Sequence, residues 1–559
     1  MKIIVIGGYG VFGGHLVRLL LQNGHEVIVA GRDHKRAAAF VRDHGGNPLT
    51  LDLQGDLSAI AVARPNLVVD AAGPFQAYRA EPYRVARFCV ENGIDYVDLS
   101  DDGDFTAGIA QLDGIAAAAG RFALSGVSSV PAISAATVTA LSRGLSEIIL
   151  IETAILPGNR APRGRSVVTS ILHQAGAPLL IWRGGTWRRH RGWTDARRIR
   201  LAPDLARWAS LMGAPDLKLF PLAFGCRSVL FRAGLELNVM HWGLAWLAFL
   251  RGIGLLPSLQ AGASSLLRIA SLLERFGSNR GGMMVELVGV AEQKTVRRRW
   301  QLLADAGSGP FIPAIPVLAI ASKSGIAPGA RPCLQDLSLT EIERTMGDLS
   351  VSFSRSEELA PSFFETILKE RWLQLPASVR RLHSVQDVES FSGRATVTRG
   401  SGLIARLAAW FFHFPKAGKD VPLTITKYRT RRGEIWERNF ACRIFRSYLT
   451  SSGRPFHYKE RFFAFTYEQE LPVVENSLHL PVRRGWFLGI PLPALLLPAS
   501  ESREYDVDGV FHFDVGLYAP FRGGLIVRYQ GHVIPDCAIA PVAGHAISPL
   551  SDQQNNPAA

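Results

Sequence analysis

At 559 residues the chain exceeds what one hydrophobic core supports and suggests about three folding units; with 47% hydrophobic and 20% charged residues and no long biased tract, most of it reads as globular. A formal charge of +14 favours acidic ligands or anionic membrane surfaces, whereas the short arginine-rich clusters at 188–191, 197–200 and 297–299 resemble no nucleic-acid module and exclude a nucleic-acid partner. Five scattered cysteines, Cys89, Cys226, Cys333, Cys442 and Cys537, fit neither a disulfide framework nor a zinc site, and without histidine pairs at metal spacing no metal is expected.

The opening MKIIVIGGYG reads as a strand entering a glycine loop, not as a secretory leader, so a reducing, cytoplasmic setting is expected. Residues 1–135 alternate β-branched runs with amphipathic stretches. Candidate strands fall at 2–6, 26–30, 48–51, 67–70, 96–99 and 121–125, which predicts a parallel sheet wrapped by helices, an α/β Rossmann domain. Between the first strand and its helix, Gly8, Gly10 and Gly13 satisfy G-x-G-x-x-G, with Tyr9, Val11 and Phe12 between them. Gly8 would permit the tight turn, Gly10 close approach of backbone to a pyrophosphate, and Gly13 packing of helix on strand.

An NAD site would carry an acidic residue about 20 positions on; the second strand instead ends in Ala30-Gly31-Arg32-Asp33. Arg32, with Lys35 and Arg36, would pair with a 2′-phosphate, so NADP(H) is favoured over NAD(H), the alternative being that Asp33 holds a ribose hydroxyl. Asp52, after the third strand, is a candidate for the adenine edge. Past the fourth strand, the small residues of Ala72-Gly73-Pro74-Phe75 leave room for a cofactor.

Together GGYGVFGG, AGR, AAGPF and SGVSSVPAIS resemble the NADP-binding domain of saccharopine dehydrogenase-like reductases, a group that includes homospermidine synthase-like and trans-acting enoyl reductase-like proteins. The resemblance covers residues 1–135 and, more loosely, the chain to about 345. It implies that Gly73, Pro74 and Phe75 line the nicotinamide side, and that Asn159, Arg160 and Arg163 lie in the loop opening the second domain. There they would clamp an acidic or carbonyl-bearing substrate.

Residues 136–345 read as an α+β substrate or dimerisation domain, with strand-like runs at 149–156, 283–290 and 300–304. A helix-like run at 315–323 would return the chain to the first domain, before a polar, proline-containing boundary segment at 327–332. Residues 242–256 are apolar but broken by Arg251 and shorter than the roughly 20 residues a span needs. They read first as a buried helix and second as a peripheral membrane contact at the inner membrane face, which Trp242 and Trp246 would suit.

Residues 364–540 alternate like antiparallel strands, at 423–428, 435–440, 461–467 and 510–517, and predict a mainly β domain followed by a flexible tail, 541–559. Phe414-Pro415, Trp436 to Phe440, Lys459-Glu460-Arg461 and Phe511 to Val515 resemble a domain of unknown function that follows saccharopine dehydrogenase-like domains. Trp436, Arg438, Glu460 and Arg461 would form either a stacked, ion-paired site in a β-rich cup or an ordinary core staple. The leading expectation is an NADP-dependent oxidoreductase acting on a small, apolar carbonyl, imine or enoyl substrate; the alternative is a membrane-associated, non-catalytic nucleotide- or lipid-binding scaffold.

Overall fold

The computed structural model describes residues 1–78, 81–162, 165–520 and 523–536, and the counts of elements refer to these residues. Three large sheets organise the chain. The first strands, β1 (Lys2–Ile6), β2 (Glu26–Gly31), β3 (Asn47–Thr50), β4 (Leu67–Asp70), β5 (Asp95–Asp98) and β6 (Phe122–Ser125), pair in parallel in the order β6-β5-β4-β1-β2-β3. Their valine and isoleucine runs are buried because helices cover both faces, as parallel sheets require. Helix α1 (Val11–Gln22) is the first of these, burying Leu16, Val17, Leu19 and Leu20.

Residues 327–332 correct an expectation. Rather than a boundary, Gly329–Pro332 is a seventh parallel strand, registered on β6 from Gly329–Phe122 to Pro332–Ser125. Its four residues carry no periodic signal; long-range pairing alone makes them a strand. The preceding helix, Ile315–Ala321, is buried throughout and does bring the chain back.

The second sheet runs Arg197–Ala202, Leu205–Leu211, Ser228–Gly234, Glu147–Leu156, Gly281–Ala291, Lys294–Ala304, Val351–Leu359, antiparallel except where Ser228–Gly234 meets Glu147–Leu156. One hydrophobic core links it to the first sheet, from Ile3 and Leu16 through Ile151 and Val285 to Ile342. The third sheet has thirteen antiparallel strands between Val388 and Pro535 and a separate core around Phe364, Phe391, Trp436 and Phe513. The stretch 461–467 is two strands, His457–Phe462 and Phe465–Glu470, because Phe463 adopts φ 48° in the turn between them. Arg183, in the turn of the separate hairpin Pro178–Trp182 and Trp187–Arg191, donates from Nε (2.9 Å) and Nη2 (2.7 Å) to Asp387, and Arg227, just before Ser228–Gly234, pairs with Glu389 of the third sheet (2.5 Å).

No helix among the described residues is long and apolar enough to cross a membrane. The 242–256 segment lies mostly in helix Asn238–Gly252, and it is not the buried helix expected. His241, Leu244 and Ala248 face inward, while Trp242, Trp246 and Phe249 are exposed, Trp246 at 61%. Arg251, which breaks the apolar run, is used internally: Nη1 donates to the carbonyls of His173 (2.6 Å) and Ala175 (2.9 Å), the orphan acceptors at the end of helix Arg165–Gln174.

Candidate functional site

The glycine loop between β1 and α1 is shaped by close approach. Gly7, outside the three glycines read from the motif, takes φ 73° and makes the tight turn assigned to Gly8. A Cβ on Gly8 would lie 2.9 Å from the Val5 carbonyl oxygen, and one on Gly13 would lie 2.3 Å from that of Gly7, so neither position admits a side chain. Gly10 caps α1 without a side chain, which leaves the first-turn amides of Val11, Phe12 and Gly13 directed at the space beyond the loop.

At the end of β2, Arg32, Asp33, Lys35 and Arg36 are all exposed. Asp33 Oδ1 caps helix His34–His44 by accepting from the Arg36 amide (3.1 Å). Tyr9 crosses from the loop and accepts from the Asp33 amide (3.1 Å), while the Arg36 guanidinium sits 4.8 Å over its ring. Among the described residues none of the three cations is in an ion pair, so this corner is a positive, anion-accepting surface at a helix start. Asp52 is exposed in a turn, accepting from the Gln54 amide (3.1 Å).

The carboxyl ends of β4 and β5 hold two buried carboxyls that motif reasoning missed, although the VVD and YVD strand endings mark them. Asp70 accepts from the Ala72 amide (2.9 Å) and from the Tyr78 hydroxyl (3.2 Å to Oδ2). Burial pushes its carboxyl up to about 6 against those bonds and one from Tyr96. Asp98 gathers the Ser100 amide (3.0 Å), the Gly126 amide (2.9 Å) and the Ser125 hydroxyl (2.9 Å) on one oxygen. Burial pushes it up to about 7 despite those donors, and Asp70 adds to the push. Burial, then the neighbouring Asp70, also hold the Tyr78 hydroxyl protonated well above its ordinary range.

Beside these strand ends opens a cleft of about 860 Å³. Pro74, Gln76, Asp101 and Asp102 form its wall on the first sheet; His173 and Gln174, with Leu179, Leu180 and Trp187, face them from the second unit. Gln174 Oε1 accepts from the Gly213 amide (2.7 Å), and His173 Nδ1 lies 3.0 Å from Gln260 Nε2. Lys218 pairs with Asp104 at the rim. Surrounding protein pushes the Asp101 carboxyl up, but the residue is exposed through the cleft mouth, and solvent screening keeps that effect small. These residues are distant in sequence and share no motif; only the docking of helix Arg165–Gln174 brings them together.

Two substrate expectations move. Phe75 points into the core, its ring 5.0 Å from Phe105, and leaves the cleft wall to Pro74 and Gln76. Asn159 is buried away from the cleft: its amide nitrogen Nδ2 donates to the Leu273 carbonyl (2.8 Å) and its backbone N–H to Glu236 (2.6 Å). Arg160 is exposed and donates to the Arg275 carbonyl (3.2 Å). Neither residue lines the cleft, because the loop is a staple between Glu147–Leu156 and the 274–278 turn. Arg163 and residues 537–559, including the expected tail, lie outside the described residues.

Residues 3–124 match the family described as "Saccharopine dehydrogenase NADP binding domain", and residues 375–533 match "Domain of unknown function (DUF4166)". No curated protein matches the chain. Among solved structures it is similar to saccharopine dehydrogenase (L-Glu forming) from Saccharomyces cerevisiae, at 15% identity over 64% of this chain and 99% of that one, with a TM-score of 0.43. It is also similar to the WlbA dehydrogenase from Bordetella pertussis, at 10% identity over 53% and 77%, with a TM-score of 0.26. The chain thus carries at its start an NADP-binding domain of the saccharopine dehydrogenase kind, whose cofactor is NADP(H), and behind it a domain of unknown function.

Proposed function

We propose that the protein is an NADP(H)-dependent oxidoreductase whose small, apolar carbonyl, imine or enoyl substrate occupies the cleft between the ends of β4 and β5 and helix Arg165–Gln174. The observation that carries this reading is a phosphate loop with no room for side chains at Gly8 and Gly13, on the carboxyl edge of the same parallel sheet that lends Pro74, Gln76, Asp101 and Asp102 to the wall of an 860 Å³ cleft. Bound NADP(H) supplies or accepts a hydride there. Gly7, Gly8, Gly10 and Gly13 admit the pyrophosphate; Arg32, Lys35 and Arg36 hold the 2′-phosphate; Ala72, Gly73 and Pro74 leave room at the strand end. Leu179, Leu180 and Trp187 give the cleft an apolar wall.

His173 is the proposed proton donor: it faces the cleft, Gln260 orients its ring, and Arg251 fixes the end of its helix. The exposed tryptophan face of helix Asn238–Gly252, tied to that helix through Arg251, would bring the cleft to a membrane where an apolar substrate resides. The test is NADPH oxidation, followed by absorbance, across apolar ketones, imines and enoyl thioesters. Substrate-dependent oxidation that falls by about 10²-fold in His173→Ala is expected; bound NADPH with no oxidation in any class would remove the oxidoreductase reading.

A further inference from the structure

The third sheet curls around a cavity of about 150 Å³ whose walls are largely aromatic, among them Phe412, Phe414, Phe440, Phe445 and Phe462. Its polar side chains are committed to one another. Arg438 stacks over Trp436 (4.8 Å) and pairs with Glu460 (3.3 Å), Gln469 donates to Glu460 (2.7 Å), and the Tyr458 hydroxyl donates to Gln469 (2.8 Å). Ser500 bonds Ser502 (2.8 Å) and Glu504 bonds His383 behind the wall (2.6 Å); a cavity whose polar groups are already bonded favours an apolar occupant, and one of this volume takes a ring or the end of a hydrocarbon chain.

Helix Leu403–Phe411 forms part of the cavity's edge. Ala408, with Phe412 just beyond the helix, lines the cavity, while the opposite face exposes Leu403, Ile404, Leu407 and Trp410, the last at 76%. The apolar surface continues across the neighbouring hairpins: Phe411 meets Phe463 (5.8 Å), Phe465 meets Phe487 (4.8 Å), and Phe463, Leu488 and Ile490 are exposed. A short helix with five large apolar side chains in solvent needs a cover. The exposed cations Arg406, Lys416 and Lys419 border it on a chain of net charge +14, which matches an anionic bilayer.

We propose that the C-terminal sheet is a lipid-binding cup that docks on anionic membrane through helix Leu403–Phe411 and the 463 and 487–490 turns, and takes an apolar chain or ring of a membrane lipid into its cavity. The inference is independent of the nicotinamide reading, and neither arm of its test uses a nucleotide.

Full-length protein is co-sedimented with phosphatidylcholine vesicles with and without phosphatidylglycerol. Binding that requires phosphatidylglycerol and drops at least about tenfold in Leu407→Asp/Trp410→Asp is expected, since both side chains are exposed and their loss leaves the core intact. Trp242→Asp/Trp246→Asp, on the other apolar face, should retain the phosphatidylglycerol-dependent component. The cavity is read with 4-fluorotoluene, a single apolar ring that its volume admits, by ¹⁹F NMR: a bound signal should appear in wild type and vanish in Ala408→Trp while that variant still binds vesicles. Vesicle binding unchanged by Leu407→Asp/Trp410→Asp, a dimer that this variant dissociates without any vesicle binding, or no uptake of 4-fluorotoluene by wild type would each overturn the proposal.

Discussion

The first and third sheets place polar chemistry in opposite ways. In the parallel sheet, functional groups gather at the carboxyl ends of the strands: the glycine turn after β1, Arg32 after β2, and Asp70 and Asp98 buried where β4 and β5 end. In the antiparallel sheet they sit on strand faces and point inward, and they balance each other. Lys427, fully buried, lies 3.1 Å from Glu434 on the neighbouring strand, and Glu504 is hydrogen-bonded to His383 (2.6 Å), which ends helix Ala377–His383 and whose imidazole burial holds below its ordinary range. A parallel sheet is covered on both faces and has only its edge left for a ligand; a curled antiparallel sheet keeps an interior. The edge is built for a charged cofactor and the interior for something apolar.

The largest effect expected from breaking this contrast is at the edge. Gly13→Val puts branched carbon where even a Cβ lies 2.3 Å from the Gly7 carbonyl, and should weaken NADPH binding by more than about 100-fold in a fluorescence titration while the third sheet melts as before. Next is the interior. Glu434→Gln leaves Lys427 buried and uncompensated and should cost about 3–5 kcal/mol in denaturant unfolding of the third sheet, with NADPH affinity unchanged. An equal loss of nucleotide binding would show that the two regions are not energetically separate.

A third, smaller effect separates the regions by pH. Burial holds Asp70 (about 6), Asp98 (about 7) and Asp216 (about 7), a buried carboxyl of helix Pro215–Phe224 that accepts from the Ser134 hydroxyl (3.0 Å), well above the 3.8 of a free carboxyl. These three carboxyls therefore keep protons in the folded state between about pH 4 and pH 7 that the unfolded chain has released, and their contribution to stability falls as pH rises through that window; His15 and His241, held down to about 4 by burial, oppose it up to about pH 6.5. Thermal melts between about pH 4 and pH 7 should show the stability of the first two units falling less, or rising more, with pH in Asp98→Asn than in wild type. A slope unchanged in that variant would place the proton uptake elsewhere.

The edge was legible from sequence because its signals are local. G-x-G-x-x-G and AGR each span a single turn, and the six strands predicted for the first sheet are all present, with ends shifted by a residue or so. Gly7 escaped because a positive φ is set by how the turn closes on Ala71 and Ala72, not by motif spacing. The seventh strand escaped because its pairing partner lies about 200 residues earlier. The cleft's far wall was illegible for the same reason: His173, Trp187 and Gly213 meet only through tertiary packing. In the third sheet the contact between Arg438 and Glu460 could be anticipated from residue type, but its place inside a cavity depends on register across three strands, which no local pattern carries. Arg461, one residue on, faces outward and stacks on Tyr448 (5.1 Å), as strand alternation dictates.

The most direct test of the central claim is a titration of the full chain with NADPH and with NADH, read by nicotinamide fluorescence, in wild type and Arg32→Ala. NADPH should bind more tightly than NADH, and Arg32→Ala should lose about tenfold for NADPH with little change for NADH. Binding of neither nucleotide, or an equal loss for both, would contradict the assignment of the first sheet's edge as an NADP(H) site.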